Sequence, residues 1–454
     1  MAERELPRSV GKVLQKFTEV ASQLAASREP VRLVCHYDAD GLCSGGILAR
    51  AFLRGGIPFH TTISHGLDAP LIDDLASHPY QWVVFSDLGS GSLDLVERLE
   101  GRVVILDHHK PPRESNRTVH LNCHLWGIDG AFEACASTLA LMMAVAIDEA
   151  NWDLAGVAVA GAIGDRQHVG GWKGFNSEVL QAAQARGHLR SQKGLGLEGE
   201  TLANALAESN EPFFRGISGA PKGAAALAEE AGLSPAAALG ELEEAESSAL
   251  ASLLVLWLLR QGTPPEFANG VMVDRYLMPG WDVDANELSA VVNACGRLQS
   301  EDLGMAVALG GHEALAQARE IRREYRARIM KGMLELQDRG LQRKGHLQYF
   351  YTDNAQMAGA FAALVMNYLF PGPLPTISLA REGDSIKVSA RGNRAMLARG
   401  VDLALACRRA ATRAGGEGGG HSVAAGATVP LGTEVGFLDE LDATVGEQLA
   451  GGRK

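Results

Sequence analysis

A chain of 454 residues, 46% hydrophobic and 21% charged, has material for two or three packed domains, which excludes a disordered or low-complexity protein. Its formal net charge of −12 excludes a surface coated in Lys and Arg for non-specific nucleic-acid binding, although a local cation cluster or a bound metal can still supply a positive field. The six cysteines (Cys35, Cys43, Cys123, Cys135, Cys295 and Cys407) are scattered without a Cys-x-x-Cys pair. That pattern argues for buried free thiols in a reducing compartment rather than a zinc ribbon or a disulfide framework. Residues 1–16 are charged and carry no apolar leader segment, and the longest apolar run, 253–259, is too short to span a bilayer. The expectation is a cytoplasmic protein with no membrane partner.

In chain order, Val10, Val13, Leu14, Phe17, Val20 and Leu24 recur at helical spacing and predict a helix over 10–27. Residues 31–35 read as a buried strand running into His36-Tyr37-Asp38-Ala39-Asp40-Gly41, and 42–53 as a helix. Residues 82–86 form a second strand ended by Asp87, followed by a helix near 93–100. Residues 103–106 form a third strand that runs into Asp107-His108-His109 and is stopped by Pro111-Pro112. Residues 119–122 predict a fourth strand, and 137–148 and 154–163 predict helices. The second of these ends in Gly161-Ala162-Ile163-Gly164-Asp165, whose Gly-x-x-Gly reads as a helix stop. Strands alternating with helices predict a parallel α/β sheet, whose ligands sit outside the carboxyl ends of the strands.

Each acidic turn alone reads as a helix cap. Three consecutive strands ending in acid read as a site. The collected set is His36, Asp38, Asp40, Asp87, Asp107, His108, His109 and Asp165. Carboxylates and imidazoles without thiolates suit Mn²⁺, Mg²⁺ or Zn²⁺. There is enough ligand for two ions, with Asp87 a natural bridge, and carboxylates packed this closely repel one another without cations.

Residues 175–265 are rich in Ala, Glu and Leu and predict a helical insertion on the first lobe, without a ligand set. Glu241, Glu243, Glu244 and Glu246 read as a solvated face, and Phe213-Phe214 as core. Residues 313–340 read as one long helix, with Leu315, Ala318, Ile321, Tyr325, Ile329, Met333 and Leu336 on one side and Arg319, Arg322, Arg323, Arg326, Arg328 and Lys331 on the other. That is either a solvated amphipathic helix or a basic track for a phosphate backbone. From residue 346 the pattern predicts a second α/β lobe, with strands at 347–351, 376–379 and 386–390 and one helix over 394–414. Residues 415–420 read as a glycine-rich loop that, with His421 and Arg391, forms an anion clamp. Arg394, Arg399, Arg408, Arg409 and Arg413 give this lobe local positive charge.

Taken together, Asp38-Ala39-Asp40-Gly41, Asp87, Asp107-His108-His109 and Gly161 to Asp165 resemble the four ordered motifs of the DHH phosphoesterase superfamily. Asn293-Ala294-Cys295-Gly296-Arg297 resembles the Asn-Ala-x-Gly-Arg segment of its RecJ branch. Gly418-Gly419-Gly420-His421 with Ala424-Ala425-Gly426 resembles the signature of the DHH-associated domain. The resemblance implies an α/β fold in three parts: a parallel-sheet DHH catalytic lobe at 1–312 with the helical insertion, a linker helix at 313–345, and a smaller DHH-associated lobe at 346–454. It implies two Mn²⁺ (or Mg²⁺) ions on Asp38, Asp40, Asp87, Asp107, His108 and Asp165, with His109 as a further ligand, phosphate contact or acid. Arg297, Arg391, Gly418, Gly419, Gly420 and His421 would bind substrate. The implied substrate is single-stranded DNA, degraded from the 5′ end, with RNA as the alternative strand and the helicase factor GINS as an implied partner. His36 departs from bacterial RecJ, which carries Asp there, so its direct ligation is left open, and the oligonucleotide-binding fold of long bacterial RecJ is not seen. The rival readings are a phosphodiesterase for short RNA or cyclic dinucleotides, a pyrophosphatase, and a scaffold of the replicative helicase.

Overall fold

The computed structural model describes residues 8–451 apart from Arg28 and Pro79. The leader reading of residues 1–7 and the side chains of Val10 and Val13 lie outside the described residues. The chain divides into two units. The described residues up to Gln192, together with Asp274–Tyr325, form the first; Lys193–Val273 and Arg326–Lys454 form the second. Among the described residues no helix is long and apolar enough to cross a membrane.

In the first unit β1 (Val31–His36), β2 (Phe59–Ser64), β3 (Trp82–Ser86), β4 (Arg102–Asp107) and β5 (Val119–Asn122) form a parallel sheet of order β2-β1-β3-β4-β5. β3 and most of β1 and β4 are buried because both faces are covered. Leu33, Val84, Val104 and Leu106 belong to a large core shared with the helices Ala39–Arg54, Ala136–Ile147 and Ala155–Gly164. Val34, Val83, Phe85, Val103 and Ile105 belong to a smaller core with Ile72, Leu75, Leu93 and Val96. The strand order reverses between β1 and β3, and a crevice for ligands opens beyond the carboxyl ends of strands at such a point.

After β6 (Arg190–Leu195) and β7 (Met272–Leu277), which form a two-stranded sheet, comes the sheet of the second unit. Its strands are β8 (Gln342–Lys344), β9 (Leu347–Thr352), β10 (Thr376–Glu382), β11 (Ser385–Arg391), β12 (Glu417–His421) and β13 (Ala424–Pro430), in the order β12-β13-β11-β10-β9-β8. β9 and β10 pair in parallel across the helix Ala358–Leu364; the other pairs are antiparallel. The core on one face gathers Ile377, Leu379, Val388 and Ala390 against Cys407, Ala410, Phe437 and Leu441. The long helix is present as His312–Arg339.

Several expectations change. β2 and the helix Ala69–Ser77 are additional elements; β2 is an edge strand with a half-polar pattern, which hides it from a search for apolar runs. The helix near 93–100 shrinks to Leu93–Val96 after a 3₁₀ turn, Ser90–Ser92. The helix over 394–414 is two helices, Arg394–Ala398 and Leu403–Arg413. They are separated by Gly400 at φ 93° and by Asp402, which caps the second by accepting from Leu405 N–H at 3.0 Å. Gly161 does not stop its helix. A Cβ there would lie 2.2 Å from Ser137 Oγ, and one on Gly164 would lie 2.5 Å from Ala39 Cβ, so both glycines let helices close on one another. Residues 418–420 are not a loop: they form edge strand β12, paired to Ala427, Gly426 and Ala425 of β13. Close packing explains glycine here, since a Cβ on Gly418 would lie 2.7 Å from Cys407 O and one on Gly416 2.1 Å from Thr428 O. Residues 193–273, expected on the first lobe, group with the second unit. There Gln261 Nε2 donates to Phe213 O at 2.9 Å and Tyr368 O at 3.0 Å, and Phe267 meets Tyr368 edge to face. Phe213 and Phe214 are fully buried, as core residues should be, and the six cysteines are free and buried.

Candidate metal centre

The carboxyl ends of three neighbouring strands bring His36, Asp87 and Asp107 to one rim of the sheet. Asp38 caps the helix Ala39–Arg54, its Oδ1 accepting from Gly41 N–H at 3.1 Å. Asp40, two residues further, accepts from the N–H groups of Ala136 (2.7 Å) and Ser137 (2.9 Å) at the start of the helix Ala136–Ile147, where the helix dipole favours an anion. Asp165 is the opposite case. It stands at the carboxyl end of the helix Ala155–Gly164, where the dipole opposes a negative charge. Asp87 turns out of β3 at φ 64°, a left-handed conformation that Asp tolerates better than most residues.

These residues meet. His36 Nδ1 lies 3.1 Å from Asp38 Oδ2 and 3.3 Å from Asp87 Oδ2. His108 Nε2 lies 3.2 Å from Asp87 Oδ1, 3.3 Å from Asp165 Oδ2 and 3.8 Å from Asp40 Oδ2. His109 Nδ1 lies 2.8 Å from Asp107 Oδ1 and 3.9 Å from Asp87 Oδ1. Three donor sets have ligand atoms within 4.8 Å of one another: Asp87-Asp107-His108-His109, His36-Asp38-Asp87 and Asp40-His108-Asp165. All eight residues of the sequence-derived set fall in one or more of them, and His36 belongs with Asp38 and Asp87.

Hard divalent cations fit this arrangement. The donors are oxygens and imidazole nitrogens without thiolate. The buried Asp87 Oδ1 makes no well-formed hydrogen bond, although two imidazole nitrogens stand nearby. The electrostatics agree. Burial, then the charge of Asp87, pushes the Asp40 carboxyl up to about 6, and burial followed by Asp40 raises Asp165. Burial also opposes the charge on Asp38, but His36, then Arg297 and the Gly41 N–H, outweigh it and hold this carboxyl well below the usual range. Asp107 is lowered in the same way: His109 overcomes burial. His108 is raised despite its burial by the close approach of Asp87 and by the charges of Asp165, Asp87 and Asp40.

Sequence reasoning missed the residues that aim these ligands. His108 Nδ1 donates to Gly130 O at 2.6 Å, which leaves Nε2 to face the carboxylates. Gln167 Nε2 donates to the same carbonyl at 3.0 Å, and its amide oxygen accepts from Asn176, which accepts from the Thr138 hydroxyl. Asp107 accepts from the N–H groups of Ser90 (2.9 Å), His108 (2.8 Å) and His109 (3.0 Å). Asn122 Nδ2 donates to Ser90 Oγ at 2.9 Å and to His109 O at 2.8 Å. Apart from the bonds of Asp107 to the two N–H groups that follow it, these contacts are tertiary and leave no spacing signal in the sequence.

Arg297 ends the helix Ala285–Arg297. Its Nη1 donates to the Tyr37 hydroxyl at 2.9 Å, and its guanidinium lies 5.5 Å from the centre of that ring. Gly296 permits this approach, since a Cβ there would lie 2.2 Å from Tyr37 O. In the second unit, Arg391 of β11 pairs with Ala424, which pairs with His421, so the two candidates share one cross-strand row and one face of their sheet. Gly418, Gly419 and Gly420 precede His421 on edge strand β12, where the ladder to β13 uses half of the backbone groups. Arg391 Nη1 donates to Ala390 O at 3.0 Å. Part of the expected positive charge is neutralised: Arg409 pairs with Glu440 (2.8 Å) and Glu447 (2.7 Å), and Arg413 with Glu440. On the long helix, Arg319 pairs with Glu287 at 2.7 Å and Arg326 with Glu198 at 3.2 Å.

Comparison with known proteins places this geometry. The N-terminal domain of the DHH family matches residues 30–162, and the DHHA1 domain matches residues 348–450. An uncharacterized protein of Methanocaldococcus jannaschii is 28% identical over 453 residues, covering 96% of this chain and 100% of the relative. RecJ from Thermus thermophilus, solved in complex with Mn²⁺, superposes with a TM-score of 0.60 at 16% identity, over 98% of this chain and 56% of that one. The chain thus spans little more than half the length of that RecJ. CDC45 from Entamoeba histolytica superposes with a TM-score of 0.66 at 11% identity, over 95% of this chain and 99% of that one. At these identities the likeness to both structures is one of fold.

Proposed function

Because the chain belongs to the DHH superfamily and has a RecJ-like fold, we propose that it is a metal-dependent exonuclease that shortens single-stranded DNA from the 5′ end. The observation that carries this reading is Asp87. Its two oxygens face different imidazoles, Oδ2 toward His36 and Oδ1 toward His108, as a carboxylate shared by two cation sites must. Mn²⁺ or Mg²⁺ ions on His36, Asp38, Asp87, Asp107, His108, Asp40 and Asp165 would polarise the scissile phosphate and acidify the attacking water. The protein's own groups do the rest. Gly130 O fixes the His108 ring, and Asp107 fixes His109. His109 keeps 40% of its side chain exposed, and against its burial the Asp107 charge raises its pKa. In its protonated form this imidazole is suited to contact the phosphate or to protonate the leaving oxygen. Arg297 supplies a second positive group beside Asp38. In the second unit, Arg391, His421 and the Gly418–Gly420 strand would bind a phosphate of the substrate. The six buried thiols suit a reducing cytoplasm.

A second role rests on a different observation. The CDC45 likeness extends over 95% of the chain, which supports a place beside the replicative helicase, with GINS as the partner to test. The deciding experiment is a time course with Mn²⁺ on DNA and RNA single strands of matched sequence, labelled separately at each end. Mononucleotides released progressively from the 5′ end of DNA are expected. Cleavage confined to RNA, to two- to five-mers or to the 3′ end moves the assignment to short-oligonucleotide hydrolysis, and no cleavage with any divalent cation leaves the helicase-partner role.

A further inference from the structure

One aromatic assembly at the rim of the metal centre has no part in that chemistry. We propose that Tyr37 and His65 form a stacking platform for a nucleobase of the bound strand, on the outer face of the His65 ring. This rests on the reading above that a single-stranded nucleic acid enters the site.

Tyr37 stands between His36 and Asp38 in the chain, so the backbone places it at the edge of the carboxylate cluster. The His36 ring meets it edge-on, with centroids 4.7 Å apart at 75°. On Tyr37 lies the imidazole of His65, the residue after β2, with centroids 4.0 Å apart and planes 18° from parallel. The His65 side chain is 55% exposed. One ring face lies on Tyr37 and Nε2 is 2.9 Å from Glu301 Oε1, so the open area is the opposite face. The stack is held from both ends: Glu301 sets the His65 ring plane, and Arg297 donates to the Tyr37 hydroxyl at 2.9 Å.

A core pair hides its faces; this pair is ordered by two polar contacts and leaves one face open to solvent. Side chains fixed in advance lose little entropy when a third ring is added. A flat ligand continues the stack, and every nucleobase has a flat π-face, so recognition would be tolerant of sequence. The link to Arg297 ties the platform to a cation that suits phosphate. A nucleotide offers both groups, one sugar apart. An aliphatic or acidic side chain of a protein partner offers neither flat ring nor phosphate.

The test uses the full chain and DNA single strands carrying 2-aminopurine at successive positions from the cleaved end, bound with Ca²⁺ in place of Mn²⁺. Stacking quenches this fluorophore. The expected result is a quench at one position, lost in His65→Ala and kept in His65→Phe, which retains a ring without the Glu301 contact. In Mn²⁺ cleavage, an abasic residue at that position should raise the wild-type KM about 5- to 100-fold, with kcat within about threefold, and should add no penalty in His65→Ala. A quench that survives His65→Ala, or a bound strand without any quench, overturns the platform. A strand that binds and stacks but is never cleaved refutes the nuclease and leaves the platform standing. Cleavage with an unchanged abasic penalty in His65→Ala does the reverse, and failure to bind any strand overturns both.

Discussion

In the first unit the strands that carry charge are central, parallel and covered on both faces; in the second, Gly418 to His421 lie on the edge of a mostly antiparallel sheet. The consequence is visible in exposure. Asp40, Asp87, Asp107 and His108 are at most 2% exposed, whereas β12 is half-exposed or exposed along its whole length. Buried ionised carboxylates in excess of cations are costly. The first unit tolerates its rim by giving Asp38, Asp40 and Asp107 backbone N–H donors and by setting imidazoles against Asp87 and Asp165, and a bound cation would relieve it further. The second unit meets no such demand, and three of its arginines, Arg326, Arg409 and Arg413, are already paired with Glu198, Glu440 and Glu447. One unit gathers carboxylates and imidazoles that could hold cations in a buried rim; the other leaves its glycine-rich edge strand at the surface.

The largest effect should come from removing the shared carboxylate. Asp87→Asn keeps the left-handed backbone that an Ala would strain, so the fold should survive. Turnover should fall on the order of 10³-fold, the worth of several kcal/mol of charge stabilisation, and thermal stabilisation by Mn²⁺ should vanish. Near-wild-type rates would remove Asp87 from the centre and erase the contrast between the units. Next in size, His421→Ala should raise KM about 10- to 100-fold, as expected for losing a charge-assisted contact, with Mn²⁺ affinity unchanged. If titration calorimetry finds Mn²⁺ binding weakened instead, the second unit is part of the metal centre and the division of labour fails. Gly296→Ala should destabilise the fold by about 1–3 kcal/mol in urea unfolding, because its methyl would lie 2.2 Å from Tyr37 O; an unchanged midpoint would mean that the Arg297 helix can move freely.

The smallest effect is one of pH. Asp40 is raised from 3.8 to about 6. Without a cation, ionising it therefore lowers stability as pH rises from roughly 4 to 6, and the loss is complete above that window. A cation needs the ionised form. The Mn²⁺-induced gain in Tm, a few degrees for an ion in large excess over its Kd, should be weak at pH 5 and full above pH 7. A gain that is flat with pH would exclude Asp40 as a ligand.

Much of the first unit was legible because a strand buried on both faces must be an apolar run, and each acid fell where such a run ended. The same rule hid β2, whose exposed His60 and Thr61 break the pattern. Glycine misled twice. The Gly161 motif predicts a helix stop and Gly418 a phosphate-cradling loop, yet each is glycine because another backbone or side chain lies where a Cβ would be. The two-helix break is signalled by the residue types themselves, Gly400 in a left-handed conformation and Asp402 as a helix cap. Gly130, Gln167, Asn122 and Ser90 were not readable at all, since their roles exist only once distant segments have met.

The interleaving of the two units has a consequence for biosynthesis. Residues 193–273 leave the ribosome before 274–325 complete the first unit and well before 326–454 supply their own partners. Until then Phe267 lacks Tyr368, Gln261 lacks the Tyr368 carbonyl, and Gly219 lacks Leu334. A nascent chain thus carries an unfinished, sticky segment through an appreciable part of its translation, which makes this stretch the natural client of a chaperone and the place where slowed elongation would matter most.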